Sequence, residues 1–182
     1  MRDLVGVVGR RQLLAIAAVS LTNLQPQTAG AATSKLGYDV TPMSRSEVAE
    51  AAGKLTPFQR SVSLEANTER AFTGLTTNGY AHDNKKRGVY VGAMSGLPLF
   101  SSEQKYDSGT GWPSFWAPVD EAHVILRNDP GDLQRKARYV RIEVLDAKSG
   151  AHIGHVFPDG PAPTGQRYCM NAAALTFVPG KK

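Results

Sequence analysis

Sulfur is scarce in this chain: Cys169 is the only cysteine in 182 residues. A lone thiol makes no intrachain disulfide and supplies no Cys-rich structural zinc site. Thiol chemistry here runs through Cys169 alone, or with a thiol from another molecule. A membrane-length hydrophobic run is missing too. The stretch Leu13-Leu14-Ala15-Ile16-Ala17-Ala18-Val19-Ser20-Leu21 would span roughly 14 Å as a helix, against a hydrocarbon core of ~30 Å. Stable membrane insertion is not expected. No cluster of Lys and Arg interleaved with aromatics is present, which argues against nucleic acid as a partner. The net charge is a modest +5. Without residues 1–31, which hold Arg2, Asp3, Arg10 and Arg11, the balance is 18 Lys+Arg against 15 Asp+Glu.

Residues 1–31 read as a targeting segment. Arg10 and Arg11 precede the short apolar run, and Ala29-Gly30-Ala31 follows as an A-x-A-like cleavage site. The Arg-Arg-Gln-Leu-Leu stretch resembles a twin-arginine export signal, which would place the protein in a periplasm. Import into an organelle such as a plastid is the alternative.

About 150 residues remain, enough to bury roughly 70% of the unfolded surface in one core. Residues 32–54 read as a linker and a short helix, with 32–45 loose. Helix formers run over Ser46–Ala52, with Ser44 or Ser46 as N-cap and Gly53 as stop. Thr56-Pro57 starts a second short helix. Then the period changes. In Tyr139–Val144, Val140, Ile142 and Val144 alternate with Arg141 and Glu143, as in a half-buried antiparallel strand. Gly88–Val91 and Ala174–Val178 are shorter strand candidates. The charged stretch 127–138 reads as an exposed loop. The expected fold is mainly β, a compact domain of two antiparallel sheets with short N-terminal helices.

Three segments carry the candidate chemistry. In Gln166–Asn171, period 2 puts Arg167, Cys169 and Asn171 on one face of a strand, with Tyr168 and Met170 on the other. The Arg167 cation would favour a Cys169 thiolate, although a free Cys is also a common buried core residue. Upstream, His152 and His155 are followed by Asp159. They suit acid/base work beside the thiol, or a mononuclear metal site. The rigid turn 158–165 would bring the two strands together. His82 and His123 read as surface or structural groups. Finally, Gly109-Thr110-Gly111-Trp112 displays an aromatic on a close-approach loop, a wall for a small group such as a methyl.

Together these motifs resemble the B-type methionine sulfoxide reductases, the methionine-R-sulfoxide reductase family. The resemblance rests on 99–102, 105–115, 150–161 and 163–171, in that order, and covers roughly residues 55–178. It implies a domain over 55–179 of two antiparallel sheets. It implies reduction of methionine R-sulfoxide in proteins and peptides, with Cys169 as the nucleophile that becomes a sulfenic acid. Arg167 would hold the thiolate. His152, His155, Asp159 and Asn171 would polarise and protonate the sulfoxide oxygen. Trp112 and Phe157 would contact the substrate methyl. The family's zinc-binding Cys-x-x-Cys pairs fall at Gly92/Ser95 and Asp146/Ser149, and a common resolving cysteine falls at Thr110. No metal or other cofactor is therefore expected. The oxidised Cys169 would need an external thiol: a thioredoxin, a glutaredoxin or a small thiol. A monomer is expected. The alternatives are a non-catalytic module that binds methionine sulfoxide or another small ligand, and a metal-binding β domain.

Overall fold

Two capped helices open the part of the chain that the computed structural model describes, residues 32–181. The expected targeting segment, 1–31, lies outside these residues. Helix α1 (Arg45–Gly53) starts at Ser44, whose side chain and Glu47 close a capping box. Helix α2 (Pro57–Glu65) repeats the device with Thr56 and Gln59, and Pro57 takes the first turn.

The nine strands among the described residues all pair antiparallel, in two sheets, as the alternation and turn signals predict. One sheet has the order β2-β1-β9, from Pro98–Ser101, Gly88–Gly92 and Leu175–Pro179. The other has the order β3-β4-β8-β7-β6-β5. Its strands are β3 (Lys105–Tyr106), β4 (Ser114–Phe115), β5 (Val124–Asn128), β6 (Ile142–Asp146), β7 (His152–Phe157) and β8 (Arg167–Met170). A five-residue helix, α3 (Pro130–Gln134), joins β5 to β6. The core is aromatic: the Phe100 and Phe115 rings stack at 4.5 Å, and Tyr90 meets Phe177 at 4.8 Å. Each such ring, fully buried, stabilises the fold by about 1.5–3 kcal/mol.

Two local readings change. Residues 32–45, expected to be loose, lie against the domain. Ser34 is buried and its hydroxyl sits 2.8 Å from His123 Nε2; Lys148 Nζ reaches Asp39 at 2.8 Å. The stretch 127–138 is not an exposed loop throughout. It finishes β5 and forms α3, and Asp132 is buried under Arg141 and Arg135. Paired charges bury where single charges do not, and a count of charges does not show the pairing. Strand β6 accordingly starts at Ile142 rather than Tyr139.

The family's zinc positions hold a polar clip. Asp146 is buried, and its Oδ2 accepts from the Ser95 hydroxyl. Its Oδ1 accepts from the backbone N–H of Lys148 (2.9 Å) and Ser149 (3.2 Å). A Cβ at Gly92 would fall 2.2 Å from Asp146 Oδ2, so the carboxylate fills the space that a side chain at 92 would need. One carboxylate with its oxygens already engaged, facing hydroxyls and a glycine, does not fit a tetrahedral thiolate site.

Candidate active site

A single row of side chains crosses the six-stranded sheet. The register aligns Tyr106 with Ser114, Ser114 with Cys169, Cys169 with His155, His155 with Glu143, and Glu143 with Arg127. Residues directly opposite in antiparallel strands project from the same face. The nucleophile candidate thus has a hydroxyl on one side and an imidazole on the other. Tyr168 and Met170 point into the core, as alternation requires.

Strict alternation would separate His152 from His155, three residues on. A bulge reunites them. Val144 pairs with Gly154 and Leu145 with His152, which leaves Ile153 as the extra residue of β7. The two imidazole rings then lie 5.3 Å apart. Gly154 permits the tight approach of β8, since a Cβ there would meet the Cys169 carbonyl oxygen at 2.2 Å.

Each imidazole is held by a carboxylate. His152 Nδ1 donates to Glu143 Oε1 at 2.7 Å, and Arg127 Nε donates to Glu143 Oε2 at 2.7 Å. His155 Nε2 donates to Asp129 Oδ2 at 2.7 Å, with Arg141 on the same carboxylate at 3.1 Å. Burial holds the His152 pKa below its ordinary value despite the Glu143 bond. Its Nε2 is buried and without a protein partner. Burial would raise the Asp129 pKa, but the bonds from His155 and nearby amides outweigh it, and the carboxyl stays ionised.

Around Cys169 lies a small pocket of about 130 Å³, lined by Trp112, Phe157, His155 and Asn171 among others. The Trp112 indole is fixed by its N–H to the Glu69 carbonyl at 3.1 Å. The Asn171 amide oxygen accepts the Glu69 N–H at 3.0 Å. Glu69 is buried, and its carboxylate accepts the N–H of Ala172 and Ala173 at 2.8 and 2.9 Å. One residue therefore ties Trp112 and Asn171 into one wall. Behind the thiol, Thr110 Oγ1 stands 4.0 Å from Sγ, in a chain of hydroxyls with Ser108 and Ser114.

The sequence-derived site residues separate into two groups. Cys169, His152, His155, Asn171, Trp112 and Phe157 come together. Asp159 does not join the histidines. It grips Arg167 through two 2.8 Å bonds and is largely exposed. The Arg167 guanidinium lies 4.4 Å over the Phe157 ring. With Asp159 elsewhere and both histidines on carboxylates, the rival metal site of His152, His155 and Asp159 is not assembled. Arg167 does favour the Cys169 thiolate, as expected, but burial opposes it. Burial raises the Cys169 pKa, and Arg167 and the neighbouring hydroxyls offset it only in part. Sequence reasoning missed Glu69, Asp129, Arg141 and Glu143. Glu143 had a signal, because register puts it opposite His155. Glu69 and Asp129 lie on irregular segments with no period to read.

The SelR domain family matches residues 55–179. The chain belongs to this family. Its SelR domain is 50% identical over 124 residues to the peptide methionine sulfoxide reductase MsrB of Hahella chejuensis, across 68% of this chain and 82% of that protein. Identity to the MsrB of Caulobacter vibrioides is 43% over 151 residues, 83% of this chain and 89% of the relative. The longer peptide methionine sulfoxide reductase MsrA/MsrB of Vibrio cholerae shares 48% over 126 residues, 69% of this chain and 31% of its own length. The two antiparallel sheets agree with the fold that the sequence resemblance implies.

Proposed function

We propose that this SelR domain reduces methionine R-sulfoxide in proteins and peptides with Cys169 as its nucleophile. The observation that carries the reading is the register of Cys169 opposite His155, beside a pocket of about 130 Å³ that Trp112 and Phe157 line. Reduction of peptide methionine sulfoxide is the activity that the names of its relatives state.

The geometry supports the following chemistry. The sulfoxide enters with its methyl against Trp112 and Phe157 and its oxygen toward His155. Sγ attacks as the thiolate, the minor form at neutral pH, because burial favours the protonated thiol and Arg167 and the neighbouring hydroxyls offset that only in part. His155 supplies a proton to the sulfoxide oxygen, and Asp129 stabilises the imidazolium form that holds it. Oxygen is transferred to Sγ, so thiol and sulfoxide become sulfenic acid and thioether. Placing methyl and oxygen at fixed points selects one epimer. An external thiol then displaces water from the sulfenic acid, giving a mixed disulfide. A second thiol releases Cys169 and a disulfide. The single cysteine supports this external route. The Arg10-Arg11 motif and its apolar run support export to a periplasm.

The test is steady-state reduction of resolved R- and S-sulfoxide peptides by wild type and Cys169→Ser, with thioredoxin or a small thiol as reductant. Turnover of the R epimer alone, abolished in Cys169→Ser, is expected. Unchanged turnover in that variant would refute the mechanism.

A further inference from the structure

A second, larger cavity of about 490 Å³ opens beside the catalytic pocket, and Trp112 lines both. Its walls are unusual in three ways. Phe72 is 65% exposed and held at φ +65°, in the left-handed region that is costly for an aromatic residue. Its N–H donates to the Gly111 carbonyl at 2.8 Å, which joins it to the Trp112 loop. Next, Tyr106 Oη and His82 Nδ1 both belong to residues lining this cavity, and both are buried without a hydrogen-bond partner in the protein. Buried polar atoms of this kind are rare and ask for a ligand or water. Finally, Lys105 lines the cavity partly buried, and no carboxylate among the described residues lies within ion-pair distance of it. Burial pulls its pKa down, and Asp83 and Asp107 act against that.

The sign of the desolvated charge sets the preferred ligand. Asp83, Lys85 and Asp107 also line the cavity, but they are exposed and water screens them. Lys105 is the lining cation with least water. A carboxylate satisfies it. The polypeptide itself brings it there. An extended chain advances about 3.3–3.6 Å per residue, so a residue one or two positions from the oxidised methionine can reach past Trp112.

We propose that this cavity is a subsite for the substrate polypeptide, taking an acidic side chain close to the methionine sulfoxide, with its carboxylate against Lys105. The proposal rests on the reductase reading and extends it to the choice of substrate.

The test uses peptides with one methionine R-sulfoxide flanked by Glu, Gln or Lys, with dithiothreitol as reductant. N-acetyl methionine R-sulfoxide methylamide serves as the substrate without neighbours. The wild type is expected to favour Glu over Lys flanks by about tenfold in kcat/KM, mostly through KM. Lys105→Met should erase the preference, Lys105→Arg should keep it, and Lys105→Glu should reverse it. All should reduce the methylamide as the wild type does. A wild type indifferent to flanking charge would overturn the subsite. So would a preference that survives Lys105→Met, or loss of methylamide turnover in Lys105→Met. A wild type inactive on the methylamide and every peptide would overturn the reductase reading, and the subsite with it.

Discussion

Replacing Asp146 with Ala tests whether the oxygen clip holds the two turns together. The side chain accepts three hydrogen bonds, from Ser95 Oγ and from the amides of Lys148 and Ser149. At about 1 kcal/mol net for each, the loss is about 3 kcal/mol. The two amides are half-buried and can reach water, which keeps the figure from rising further. For a domain of this size, 1 kcal/mol moves Tm by about 2–4 °C, so a drop of about 6–12 °C is expected in a circular-dichroism melt. Activity at 25 °C should persist, because Asp146 lies on β6, two strands from Cys169 on β8. Two further variants separate the clip from general damage. Ser95→Ala should be non-additive with Asp146→Ala by about 1 kcal/mol. Gly92→Ala should be damaging in the wild type, where its Cβ meets Asp146 Oδ2 at 2.2 Å, and milder once Asp146 is Ala. A Tm within about 2 °C of wild type, or additive effects throughout, would refute the clip.

Two other outcomes are expected. Asp129→Asn should lower kcat by about a hundredfold or more while the protein stays folded, because His155 loses the charge that stabilises its protonated ring; rapid-quench turnover measures it, and an unchanged kcat would count against His155 as the acid. Alkylation of Cys169 by iodoacetamide should rise with pH to an inflection above that of a free cysteine, because burial favours the protonated thiol. Arg167→Met should move that inflection higher still, and a move downward would contradict the role given to Arg167.

The parts of this fold that were legible in the sequence are those governed by a simple period. Arg167 and Cys169 fall where alternation puts them, Asn171 lines the pocket with Cys169 just past the strand, and the turn 158–165 does return β8 against β7. The first helix's cap, narrowed to Ser44 or Ser46 and found at Ser44, and the helix start at Thr56-Pro57 were readable because capping chemistry is local. Misreadings arose where distant charges neutralise one another. Asp129 and Asp132 look like solvated loop residues until Arg141, just before β6, and His155, on β7, reach them. Glu143 alternates onto what looks like a wet face, yet it is fully buried, because that face is the floor of the site. Asp159 follows the histidines in the chain, but Arg167 claims it across the turn. The His152–His155 spacing offered no way to foresee the bulge that makes it productive.

The clip of oxygens also decides what an oxidant can damage. In a fold pinned by thiolates and metal, peroxide or a chelator attacks the scaffold as readily as the site. Here the turns at 92–95 and 146–149 present only hydroxyl, carboxylate and amide groups, none of which thiol-directed oxidation can touch. Cys169 is the one thiol for a thiol oxidant to meet, and its first oxidised state is also the intermediate of the proposed cycle. The external thiol proposed to restore it after turnover would restore it from that first oxidation by the same route.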